Sequence, residues 1–184
     1  MIVVIGRPAL DESGEFDRLT GRVAAAAARN GSRVEIVGSA TDDHGGDATI
    51  VALGRAGVGH AALLRLPGAG LPRLDAADIE LGLSYVADCR VLVVADELDG
   101  AALQAAVDGA RYHAAQLIFA ASTAAPGVDL PEHATVLTPP DEDAGAFAEL
   151  VGRYAARLDA GSDAPDAWRD ALSATGWERS GTAE

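Results

Sequence analysis

Strand-like and helix-like periods alternate from the first residues of this chain, and that alternation restricts the fold more than any other feature. Ile2-Val3-Val4-Ile5 is a short, wholly apolar run ending at Gly6, as a parallel strand buried on both faces requires. Val23, Ala26 and Ala27 then fall at i, i+3, i+4 and predict a helix over residues 20 to 30 that closes at Asn30-Gly31. Val34 to Val37 predicts a second strand ending at Gly38. Ile50, Leu53, Gly54 and Gly57 mark one face of a helix starting near Asp42 or Asp43, whose small residues suggest close packing.

The pattern continues with a strand over 61–66, a Gly/Pro loop over 68–72, a helix marked by Ile79, Leu83 and Val86, and a strand from Val91 to Ala95. Leu103, Ala106, Val107 and Ala110 predict the next helix, and Leu117 to Ala120 and Thr135 to Leu137 two more strands. Phe147, Leu150, Val151, Tyr154 and Leu158 share one stripe of a helix that ends at Gly161, and Trp168 with Leu172 suggests a further brief one. The chain of 184 residues suits one α/β domain over residues 1–162, followed by a C-terminal tail over 163–184 that carries a short helix. The expected architecture is three-layered, a mostly parallel sheet with helices on both faces joined by right-handed crossovers.

With 49% apolar but only 4% aromatic residues, the core must be built from Val, Leu, Ile and Ala. A formal charge of -14 repels nucleic-acid backbones and anionic membranes, so neither is an expected partner. Every basic side chain is arginine, which excludes a Schiff-base lysine and a P-loop lysine. The single Cys89 has no partner for a disulfide or a Cys-x-x-Cys motif and reads as a small core residue. No signal-length or membrane-length apolar run occurs, so the expected location is the cytoplasm.

In open α/β sheets ligands bind outside the carboxyl ends of the strands. Gly6-Arg7, Gly38-Ser39, Asp96, Ser122 and Thr138 stand at those predicted ends. Asp42, Asp43, His44 and Asp47 offer carboxylate oxygens for a hard cation, but their spacing matches neither a Ca²⁺ loop nor a zinc pattern. They read as a helix-capping turn. His60, His113 and His133 are scattered, with no i+4 partner or nearby acid that suggests a triad or metal site, and no G-x-S-x-G elbow is present. The residues alone therefore assign no catalytic group, metal or cofactor. Within TPPDEDA, residues 138 to 144, Thr138 is expected to cap a helix, with proline in its first turn and the acids complementing its dipole.

Several segments, in order, resemble the ribokinase-like (PfkB) carbohydrate kinases. IVVIGRPALD leads from a strand through Gly6 to Asp11, where these kinases often place a sugar-binding aspartate. GRVAAAAARNGSRVEIVGSATDDHGGDATIVALGRAGV is similar to the family's alanine-rich helix, strand, G-x-D-x-x-G turn containing Asp43, and Gly-Val ending. VADCRVLVVADE and IFAAS follow, and TPPDEDA stands where the family reads Pro-Asn-x-x-Glu-Ala. The resemblance spans residues 1 to about 160 and implies a ribokinase-like fold.

The departures bear on activity. The family's Gly-Gly-x-x-x-Asn sugar motif is reduced to Thr20-Gly21-Arg22, with Arg22 near the position of the sugar-contacting Asn. Only nine residues separate Asp11 from Gly21, too few for the family's lid strands. Pro140 replaces the Asn that helps order Mg²⁺, leaving Asp143 in place of the Glu, and the Gly-Ala-Gly-Asp string carrying the anion hole and catalytic base does not occur. Phosphoryl transfer rests on positioning and electrostatic stabilisation, and loss of one stabilising donor can cost ~10²–10³ in rate.

The resemblance thus implies a shortened, non-catalytic member that binds a small molecule, sugar-like or nucleoside-like, or a protein partner. Asp11, Arg22 and Asp43 are the implied substrate-binding residues and Asp143 the phosphate or metal remnant. One alternative is a sugar or nucleoside kinase component, an ATP-dependent phosphotransferase completed by another chain. Another is a structural or oligomerising subunit, with Trp168 and Trp177 anchoring the tail or a second copy over an open sheet edge.

Overall fold

The computed structural model describes residues 1–68, 70–121, 127–140 and 142–177. Six strands alternate with helices: β1 (Ile2–Gly6), α1 (Leu19–Arg29), β2 (Val34–Thr41), α2 (His44–Arg55), β3 (Val58–Leu66), α3 (Ala76–Ser84), β4 (Val91–Val94), α4 (Gly100–Tyr112), β5 (Gln116–Phe119), β6 (Thr135–Val136), α5 (Ala144–Asp159) and α6 (Ala164–Thr175). They form one sheet in the order β3-β2-β1-β4-β5-β6. All five strand pairings are parallel. The expected α/β class is correct.

The apolar run of β1 is explained by its place between β2 and β4, with both faces covered. Ile2 and Val4 point into a core shared with α1, α5 and α6, while Val3 and Ile5 point into a second core beneath α3 and α4. Period-two alternation therefore assigns neighbouring residues of one strand to two separate layers. On the first face α1 and α5 lie unusually close because Gly152 carries no side chain. A Cβ there would stand 2.5 Å from the Ala26 Cβ and 2.8 Å from the Ala27 amide nitrogen.

Several expected boundaries shift. Strand β2 does not stop at Gly38 but runs on to Thr41. Gly38 is tolerated inside the strand because the Gly6 carbonyl approaches it, only 2.0 Å from where a Cβ would stand. Strand β3 begins at Val58, earlier than expected, since Gly57 supplies the turn with φ of +74°. Gly54 and Gly57 face open space, so the expected close packing is absent at those two positions, whereas Gly46, at the start of α2, does pack closely, since a Cβ there would stand 1.8 Å from the Thr41 carbonyl oxygen.

Between β1 and α1, where lid strands were expected to be reduced, a short turn carries one isolated antiparallel bridge, Leu10 to Phe16. Helix α6 packs on α5 and buries Ala167 and Ala171 in the first core. Trp168 meets Tyr154 edge-on at 5.4 Å and Trp177 meets Phe147 at 6.0 Å. Both tryptophans thus pack against α5 within the chain. No helix among the described residues is long and apolar enough to cross a membrane.

Candidate functional site

The strand order reverses between β1 and β4, so the crevice at their carboxyl ends is the natural ligand position of this topology. An ion pair fills it. Arg7, one residue beyond β1, donates from Nε to Asp96 Oδ2 at 2.5 Å and from Nη2 to Oδ1 at 2.7 Å. The Arg7 and Glu97 amides also donate to this carboxylate, at 3.1 and 2.8 Å. The two side chains are only 15% and 8% exposed. Hydrogen bonding to Asp96 is the main reason the Arg7 pKa is raised above its ordinary value.

Beneath the pair, Thr20 of α1 donates its hydroxyl to the Ala95 carbonyl at 3.2 Å. Gly6, with φ of +149°, leaves room for this contact, since a Cβ would stand 2.3 Å from Thr20 Oγ1 and 2.8 Å from Asp96 Cβ. Of the expected rim residues, Arg7 and Asp96 therefore meet each other. Ser39 lies inside β2 and donates to the Pro72 carbonyl at 2.9 Å. Ser122 lies outside the described residues, as does Asp141.

The four residues singled out from the family resemblance occupy three separate surroundings. Asp11 is exposed and organises the short turn before α1. Its Oδ1 accepts from the Ser13 hydroxyl at 2.6 Å and from the Ser13 and Glu15 amides at 2.8 and 3.1 Å. Those bonds, the Ser13 hydroxyl foremost, hold its pKa below the usual aspartate value. Arg22 holds the other end of the same turn, donating from Nε to the Phe16 carbonyl at 2.6 Å. The Phe16 ring lies over Gly21, where a Cβ would stand 2.4 Å from Cδ1.

Asp43 is the N-cap of α2, accepting from the Gly46 amide at 3.0 Å and from the Thr41 hydroxyl at 2.6 Å, and the Thr41 bond chiefly lowers its pKa. Its neighbours Asp42 and Asp47 pair with Arg65 at 3.1 and 2.8 Å. This acidic turn is thereby a capped helix start tied to β3, as the capping reading expected. Among the described residues no group of three or more His, Cys, Asp or Glu side chains could hold a metal ion.

Asp143 corrects the reading of TPPDEDA. Helix α5 begins at Ala144, so Thr138 does not cap it and the prolines precede its first turn. Asp143 is the N-cap in a left-handed conformation, φ 60° and ψ 45°, with Oδ1 accepting from the Ala146 amide at 3.1 Å. The two prolines disfavour helix before it, and an aspartate tolerates the left-handed backbone that turns the chain into α5.

Arg22 and the start of α5 are brought together. A groove of about 300 Å³ is lined by Glu15, Phe16, Arg22, Ala25, Arg29, Gly145, Ala148 and Glu149. Arg29 closes one end by pairing with Glu149 across α1 and α5. Phe16 and Glu15 carried no sequence signal for this role, because the turn that presents them becomes visible only through the Leu10 to Phe16 bridge. Asp43 stands apart, on the β2–β3 side with Arg65.

No family model matches the sequence, and no curated protein matches it at a significant level. Solved structures do match. Adenosine kinase of Sinorhizobium meliloti is 13% identical, with 94% of this chain and 92% of that chain covered and a TM-score of 0.64. Phosphofructokinase-2 of Escherichia coli is 12% identical, with 95% and 91% covered and a TM-score of 0.64. At such identities the likeness is one of fold, and the fold is that of the ribokinase-like sugar and nucleoside kinases, as the sequence resemblance implied.

Proposed function

We propose that this is a non-catalytic ribokinase-like protein that binds a small polar molecule, sugar-like or nucleoside-like, in the groove between the 10–16 turn, α1 and α5. One observation carries this reading: Arg22, half-buried at the position of a sugar-contacting residue, lines a groove of about 300 Å³ beside the amino end of α5. That volume is at the lower end of small-ligand sites. The guanidinium has one hydrogen bond among the described residues, from Nε, which leaves its other nitrogens to donate to a ligand oxygen.

The non-catalytic part of the reading is supported by how the carboxylates are used. A phosphoryl-transfer site needs acids aimed at a metal or at the accepting hydroxyl. Asp11, Asp43 and Asp143 each point an oxygen at backbone amides of their own turn. Asp163 caps α6, and Asp159 pairs with the amino terminus of Met1.

Thermal melts of the protein against separate sugars, nucleosides and nucleotides test the reading. A ligand at ~100 times its dissociation constant stabilises the fold by about 2.7 kcal/mol, or roughly 5–11 °C for a chain of this size. The Arg22→Ala variant should lose that shift. A flat panel sinks ligand binding, and ATP turnover with any of these sugars or nucleosides sinks the non-catalytic assignment.

A further inference from the structure

A groove larger than the one at Arg22 lies on the other face of the sheet, between the carboxyl-terminal ends of α3 and α4, and has a volume of about 520 Å³. Its floor is apolar, made by Leu83, Val86, Ala105 and Gly109. Gly109 shapes it: a Cβ there would stand 2.3 Å from Leu83 Cδ1, so the glycine lets the two helices close beneath the opening. The rim is aromatic and acidic. In a chain with only three tyrosines, Tyr112 is 86% exposed at this groove. Tyr112 packs edge-on against His113 at 5.1 Å, which holds the two rings together at the mouth.

Two carboxylates border the same opening. Asp108 is shared with Arg111 and Gln104, each at 3.0 Å. Glu80 is exposed and has no hydrogen-bond or ion-pair partner among the described residues. An apolar floor, an exposed phenol ring and an unpaired carboxylate together select a ligand with an apolar body and a positive head, through burial, cation–π attraction and ion pairing. An anion is disfavoured here, because the groove adds local negative charge to a chain of net charge -14.

We propose that the α3–α4 groove is a second binding site, for a small organic cation with an aromatic or aliphatic body. It is separate from the groove at Arg22 and does not depend on the ligand proposed there. The probes are phenethylammonium, its neutral analogue 2-phenylethanol and its anionic analogue phenylacetate, titrated into isotopically labelled full-length protein while amide NMR shifts are followed. Phenethylammonium should give saturable shifts confined to residues 80–87 and 105–113, with binding by the alcohol weaker and by the acid absent. Glu80→Gln and Tyr112→Ala, both at exposed positions that leave the core intact, should each weaken the ammonium about two- to fivefold. The proposal is overturned by equal binding of the three probes, by shifts centred elsewhere or absent, or by unchanged affinity in both variants.

Discussion

Replacing Arg7 by alanine tests whether the Arg7–Asp96 pair is what closes the switch-point crevice. The substitution removes two charge-assisted bonds, at 2.5 and 2.7 Å, and leaves the Asp96 carboxylate with only the Arg7 and Glu97 amides as donors. Hydrogen bonds to charged groups are worth about 1.5–3 kcal/mol each, and breaking one side of a buried pair costs about 3–5 kcal/mol. Asp96 keeps two of its four donors, and water can enter once the side chain is cut back. The expected loss is therefore about 2–4 kcal/mol, or roughly 4–16 °C in melting temperature. Replacing both partners, Arg7→Met with Asp96→Asn, leaves no uncompensated charge and should recover much of that loss. Urea unfolding of the parent, Arg7→Met, Asp96→Asn and the double variant, followed by circular dichroism, gives the four free energies of the cycle, and their non-additivity should be at least about 1–2 kcal/mol. Single variants within about 0.5 kcal/mol of the parent, or strictly additive penalties, would show that the pair sits on the crevice without holding it.

Two further outcomes follow from packing and burial. Gly152→Ala should destabilise by at least about 1–3 kcal/mol because its Cβ meets α1 backbone, whereas Gly54→Ala, in open space on α2, should stabilise by about 0.5–1 kcal/mol; chemical denaturation of both variants checks the opposite signs. Cys89 is buried and donates to the Val91 carbonyl at 3.4 Å, and burial pushes its thiol pKa up to about 11. The reactive thiolate should be scarce in the native protein at pH 8, so a thiol-specific chromogenic reagent should label Cys89 only after denaturant is added; rapid native labelling would refute that burial.

How much of this was legible in the sequence depends on the range of the interaction concerned. The elements themselves were legible because hydrophobic period is a local signal: the α5 stripe of Phe147, Leu150, Val151, Tyr154 and Leu158 is buried throughout. Boundaries failed where a distant backbone set them. Gly38 looked like a strand end, since glycine usually punctuates, but it is a strand residue kept small by the Gly6 carbonyl, which reaches it from β1. Likewise the sequence placed Arg7 and Asp96 on a common rim, one after each central strand, yet their pairing spans 89 positions and requires β1 and β4 to be neighbours.

The same distinction separates the family's motif from what this chain does with it. Asp11, Asp43 and Asp143 stand where the resemblance implies substrate, turn and metal-ordering residues, and in each case the nearest donors belong to the residue's own turn. A carboxylate that caps a turn stabilises the loop whether or not a ligand ever arrives, so the presence of such an acid in the sequence is by itself no sign of catalysis. TPPDEDA illustrates this. Its proline at position 140 offers no side-chain hydrogen bond to a ligand, and its last acid, Asp143, adopts the left-handed geometry that starts α5. Arg22 differs, because one bond to the Phe16 carbonyl uses only part of its guanidinium and the remainder borders a groove. Among the four residues that the resemblance marks out, Arg22 is the one that lines this groove.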